Sequence, residues 1–269
     1  MNLQKQNTKK LLYSYYITAI IVILLIFVSH YYNKPLFHIL NGLGSNYLKY
    51  IMMFLTALGD GFFVLATGSL FFKKRERSYH IFIAAFILSG LIIQIIKYYF
   101  PQPRPLIELG IENIFYMGDP LTYGSFPSGH SASAMVIARY LMVNHQSDSK
   151  NYIYLAYGIL ISLSRVYIGV HFPVDIVVGA LIGYLSLDIL LLLNNLYLSS
   201  RFKLISGKYN HLTINSIGLV SMLGYLIFHY KSYPPVSMLM NYIAVLFSGY
   251  FITMILMEFS GYYKLKNKS

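Results

Sequence analysis

The chain contains no cysteine and no tryptophan, and its 269 residues include only nine acidic side chains. Without thiols there is no disulfide framework, no thiolate metal site and no cysteine nucleophile. Without tryptophan, the aromatic belt of a membrane protein falls to the 27 tyrosines. Nine acids against 21 basic residues leave a net charge of +12, a balance that suits nucleic acid, anionic lipid or membrane topology. What the chain has in abundance is apolar length: 57% of its residues are hydrophobic and 11% charged, with runs approaching the roughly 20 residues of a bilayer-spanning helix. That composition argues against a soluble globule.

Apolar segments predict transmembrane helices at 11–30, 49–72, 79–98, 131–144, 152–168, 174–197, 212–230 and 238–258, which makes the fold class an all-α polytopic membrane bundle. The first follows Lys5, Lys9 and Lys10 and has no small-residue cleavage site, so it is expected to be a retained anchor. The segment at 131–144 is rich in small residues, as expected of a helix inside a bundle. A cytoplasmic N-terminus places Lys5, Lys9, Lys10, Lys73, Lys74, Arg75, Arg77, Lys150, Arg201, Lys203, Lys208, Lys264, Lys266 and Lys268 inside, 14 of the 21 basic residues. The charge is therefore read as topology, with both termini cytoplasmic, and not as a nucleic-acid surface. The longest non-helical stretch, about 99–130, then falls outside, where Pro101, Pro103, Pro105, Pro120 and Pro127 forbid a continuous helix.

Three polar groups interrupt this apolar chain at the same outer face: Lys97 with Arg104, then Ser128-Gly129-His130, then Arg165 with His171 and Asp175. Three cations, two histidines and a carboxylate suit the binding and transfer of a dianionic phosphoryl group. Ser128 and the Gly129 amide add donors, and the helix expected to start at Ser131 adds its positive dipole end. His171 and Asp175 are four apart, on one face if a helix begins near Pro173, so the carboxylate can fix the imidazole tautomer for attack on phosphorus. His130 is placed to protonate the departing oxygen.

The strings KYYFPQPRP, PSGH and SRVYIGVHFPVD fill every position of a three-part signature, and with them the chain resembles the type-2 phosphatidic acid phosphatases, or lipid phosphate phosphatases. The resemblance spans about residues 50–195 and implies a six-helix phosphatase core within 1–200, the signature lying within 97–175. Residues 201–269 would then add two transmembrane helices and a basic cytoplasmic tail. It also implies that Lys97, Arg104 and Arg165 grip phosphate with Ser128 and Gly129, that His130 is the general acid, and that His171 forms a phosphohistidine oriented by Asp175. Neither metal nor cofactor is expected. The vanadium haloperoxidases share the family, but they are typically soluble, and the membrane helices argue against that branch.

The expected partners are membrane lipids and a lipid phosphate substrate at the outer face of the cytoplasmic membrane. Undecaprenyl diphosphate, phosphatidylglycerol phosphate, phosphatidate and lipid A are candidates. A phosphotransferase using the same site, or a binding or transport protein without chemistry, are the alternative classes. Asp60 reads as a costly mid-helix carboxylate buried against a partner or a water-filled cavity, and Asp188, roughly 20 Å deeper than Asp175 at 1.5 Å per residue, as a structural hydrogen-bonding group. His30, His38, His80, His145, His211 and His229 show no metal-ligand spacing and read as surface or interfacial residues.

Overall fold

The computed structural model describes residues 20, 23–43, 48–71, 76–118, 120–145, 148–194, 210–229, 232–233 and 236–266, and among these it is helical with no strand. Its helices are α1 Asn33–Asn41, α2 Leu48–Leu58, α3 Gly61–Leu70, α4 Glu76–Tyr99, α5 Pro105–Leu109, α6 Gly129–His145, α7 Asp148–Tyr167, α8 Pro173–Leu193, α9 Asn210–Phe228 and α10 Ser237–Lys266. The all-α bundle expected from the sequence is therefore what forms. Most of the helix expected over 11–30 lies outside the described residues, as do the basic residues of 72–75 and 195–209, although 23–31 is helical.

Four helical stretches, Tyr79–Tyr99, Pro173–Leu193, His211–Phe228 and Ser237–Ser260, are long and apolar enough to cross a membrane, and no more than 33% of any of them is buried by protein. Apolar surface left uncovered on that scale is surface for lipid. α6 and α7 do not pass on length and composition alone. α6 is instead the centre of the bundle, buried continuously from Ser131 to Ala138, as its small residues predicted.

The helix expected over 49–72 is not continuous. It breaks into α2 and α3, which meet at 71°. The cause is local: Asp60 leaves helical geometry at φ −59°, ψ 139°, and its side chain accepts the Phe62 N–H at 2.9 Å, capping α3. Asp60 is thus not a mid-helix residue, and α6 begins at Gly129, two residues before the expected start.

Packing brings the ends of α6 and α8 together. Gly179 and Gly183 on α8 lie so close to α6 that a Cβ at either would collide with the carbonyl oxygens of Ser128 and Ala132. This four-residue spacing of small residues lets two backbones touch, and it sets the start of α8 beside the start of α6. Further down, Arg139 Nε meets Asp188 Oδ1 at 2.7 Å, the structural role expected of Asp188. At the other side, α9 and α10 share one apolar cluster with α2 and α3, through Met53, Phe63, Met222, Tyr225, Met240 and Phe251.

Candidate active site

α4 ends at Tyr99, and the chain then folds back on itself: Arg104 N donates to Thr122 O at 2.9 Å and Ser125 N to Gln102 O at 3.1 Å. That closure turns Arg104, 6% exposed, into the protein. Its guanidinium is held by backbone carbonyls, Nε on Tyr123 O at 3.1 Å, one Nη on Val170 O at 3.0 Å and the other on Gly124 O at 3.4 Å. The Nη bound to Val170 also lies 3.4 Å from His171 Nε2.

His171 sits in the turn between α7 and α8, 2% exposed. Its Nδ1 lies 3.3 Å from Asp175 Oδ2. A guanidinium has only protons to offer and a carboxylate only lone pairs, so the two neighbours select one tautomer. Nδ1 carries the proton, and Nε2 presents its lone pair. Both contacts are long, as they commonly are before substrate arrives. Burial above all, and then the charges of Arg104, Arg165 and Lys97, hold the His171 pKa well below the ordinary 6.5, so the ring stays neutral.

Asp175 is itself fixed. The same Oδ2 accepts the Phe172 N–H at 2.9 Å, at the start of α8, and the Ser125 hydroxyl at 2.5 Å. The carbonyl of Asp175 accepts from Ser128 N at 3.0 Å, tying the start of α8 to the start of α6. From the N-terminal side, Asn33 Oδ1 accepts the Val174 N–H at 3.1 Å, meeting another free donor of the first turn of α8. Asn41 bonds the backbone of both Phe115 and Tyr167, pinning the long loop to the end of α7.

At the start of α6, Ser128 Oγ accepts from Ser131 Oγ at 3.0 Å and Ser131 N at 3.4 Å, which leaves its own proton to donate. A Cβ at Gly129 would meet only Ile93, at 3.9 Å, so packing does not demand the glycine; the open backbone there suits a ligand. Arg165, near the end of α7, is 5% exposed, and its Nε has no protein hydrogen-bond partner. Lys97, in the last turn of α4, is within Coulombic reach of Arg104, Arg165 and Asp175. His130 feels the charges of Arg165 and Lys97 in turn. All eight residues singled out in the sequence therefore converge on one site.

Ser125 carries no motif of its own, and nothing in the sequence marks it. The contact of His229 was not expected either: its side chain, 35% exposed, places Nδ1 2.8 Å from Asp60 Oδ2, an ion-pair contact off the axis of a hydrogen bond. Tyr233, in the linker before α10, donates its hydroxyl to the same Oδ2 at 2.8 Å and lies 2.9 Å from His130 Nε2. Beside His130 opens a cavity of about 200 Å³, lined by Gly59, Phe86, Gly90, Ile93, Gln94 and Ala132.

Comparison with known proteins adds to this geometry. Residues 78–196 match the PAP2 superfamily. The chain is 30% identical over 158 residues to the undecaprenyl-diphosphatase of Sulfolobus acidocaldarius, covering 56% of this chain and 73% of that one. It is 29% identical over 154 residues to phosphatidylglycerophosphatase B of Bacillus subtilis, covering 52% of this chain and 71% of that protein. The crystal structure of Aquifex aeolicus LpxE superposes with a TM-score of 0.55 at 33% identity, over 59% of this chain and 94% of the other.

Proposed function

The chain belongs to the PAP2 superfamily of membrane phosphatases, and we propose that it removes a phosphate from a lipid phosphate or diphosphate at the outer face of the cytoplasmic membrane, through a phosphohistidine on His171. The observation that carries this reading is the pair of contacts that fixes the His171 tautomer, Arg104 on Nε2 and Asp175 on Nδ1. A nucleophile needs a neutral ring with a lone pair on the attacking nitrogen; burial above all keeps the ring neutral, and these two neighbours leave the lone pair on Nε2.

The phosphoryl group lies among Lys97, Arg104, Arg165, Ser128 and the Gly129 amide, whose donors spread over the equatorial oxygens of the transition state. His171 Nε2 attacks phosphorus, the bond to the leaving oxygen breaks, and that oxygen takes a proton from His130. Water then attacks the phosphohistidine, gives its proton to His130, and the phosphorus–nitrogen bond breaks to release phosphate and restore His171. The chain's own cations supply the charge that this chemistry needs.

The cavity beside His130 favours a lipid leaving group. It is walled mainly by apolar groups and glycine, and a Cβ built on Gly90 would meet nothing within 4 Å. A chain entering from the lipid-exposed side of α4 would bring its phosphate to the outer helix ends, where the cations are. The names of the two relatives above support undecaprenyl diphosphate and phosphatidylglycerol phosphate as the substrates to try first.

The test is phosphate release by detergent-purified protein, with chelator present, from undecaprenyl diphosphate, phosphatidylglycerol phosphate, phosphatidate and lipid A. Turnover of at least one lipid, unchanged by chelator and inhibited by vanadate, is expected. Strict dependence on added divalent metal would contradict the proposal, as would inactivity on every lipid in a folded preparation.

A further inference from the structure

The last two helices reach the site through a set of residues that the chemistry above does not use. His229 directly follows α9, and the linker to α10 carries Tyr233, held at φ 62°, a backbone conformation that a bulky residue seldom adopts. Strain of this kind persists where surrounding contacts over-determine it. Here the contacts are the two hydrogen bonds of the tyrosine hydroxyl, to Asp60 and to His130.

We infer that Tyr233 and Asp60, backed by His229, form a positioning relay that sets the ring of His130 and reserves one of its nitrogens for the leaving group. The argument is one of proton count. A tyrosine hydroxyl has a single proton, and the Asp60 carboxylate, which can only accept, takes it at 2.8 Å. The same oxygen must then accept from His130 Nε2, 2.9 Å away. Nε2 therefore always carries hydrogen, and Nδ1 is the nitrogen left to gain and give the catalytic proton. Burial, and next the charge of Asp60, push the Tyr233 pKa well above 10, so the hydroxyl does not lose its proton to the imidazole.

Asp60 divides its work between its oxygens. Oδ1 caps α3 through Phe62 N, while Oδ2 takes Tyr233 and the contact from His229. The break in the second span is thus what brings a carboxylate to the residue that holds His130. His130, which touches the substrate, remains the catalytic residue; Tyr233, Asp60 and His229 act through it. The two C-terminal helices complete the acid half of the site.

This inference rests on His130 being the general acid, and leaving-group dependence separates the two claims. The measurement is kcat/KM for phosphatidate, whose alkoxide must be protonated to leave, and for p-nitrophenyl phosphate, whose phenolate need not be. For Tyr233→Phe the expected result is a fall of roughly 10- to 100-fold on phosphatidate, within the range of general acid catalysis, and less than about threefold on the aryl ester. Asp60→Asn, which keeps a capping oxygen, should behave in the same way. In a His130→Ala background, Tyr233→Phe should add nothing further, because the group it positions is gone.

Equal losses on both esters, no loss on phosphatidate, or full additivity with His130→Ala would overturn the relay. If His130→Ala itself shows no preference for the better leaving group, its role as acid falls and the relay with it. If His130→Ala shows that preference and Tyr233→Phe does not, the relay alone falls.

Discussion

As the proposed nucleophile, His171 has to attack as a neutral ring, and burial with three neighbouring cations keeps it neutral to pH values well below the ordinary imidazole range. The sign of the effect is direct: acid protonates the nucleophile and stops attack, and a lowered pKa moves that loss to lower pH. The acid limb of kcat/KM, which reports the free enzyme, is expected to lie below 6.5, the ordinary histidine value. A limb centred at or above that value would contradict the account. The residues of the candidate site were legible in the sequence because phosphoryl transfer calls for histidine, arginine and carboxylate, and few polar residues interrupt the apolar chain. Ser125, Tyr233 and His229 were not. A hydroxyl contact made across 50 positions, as Ser125 makes to Asp175, follows no spacing rule.

The elements that position the site were legible unevenly. The helix beginning at Pro173 and the buried, small-residue α6 were expected from proline placement and composition, and both formed. The break between α2 and α3 was not, because Asp60 is the one charged residue between 50 and 72, and its carboxylate finds its partners 169 and 173 positions away, at His229 and Tyr233. A single helix with a paired mid-span aspartate fits the same letters. The contact of α8 on α6 carries a prediction of its own. Gly183→Leu would drive a side chain into the backbone of Ala132, and overpacking of this kind costs about 1–3 kcal/mol or more. Thermal unfolding in detergent should show a clearly lowered midpoint together with lost activity. A fully stable Gly183→Leu protein would mean that the two helices are not in backbone contact.

At the scale of the whole molecule, the absence of cysteine makes the proposed orientation simple to measure. Tyr123, in the long loop, is 62% exposed and Tyr152, near the start of α7, is 75% exposed. With the site outside, Tyr123→Cys in intact cells should react with a membrane-impermeant maleimide, and Tyr152→Cys only after permeabilisation; the reverse pattern would invert the topology. The linker between α9 and α10 brings Tyr233 to His130, so one bundle holds every residue to which the proposal gives a role. The claim on which the rest depends is that His171 is the nucleophile. The most direct test is phosphate release from undecaprenyl diphosphate in chelator by the wild-type protein and by His171→Gln. The account predicts wild-type turnover and a loss of at least about 10⁴-fold in the variant, the scale seen when an enzyme loses its nucleophile; a folded His171→Gln protein turning over within about tenfold of wild type, far outside that scale, would contradict it.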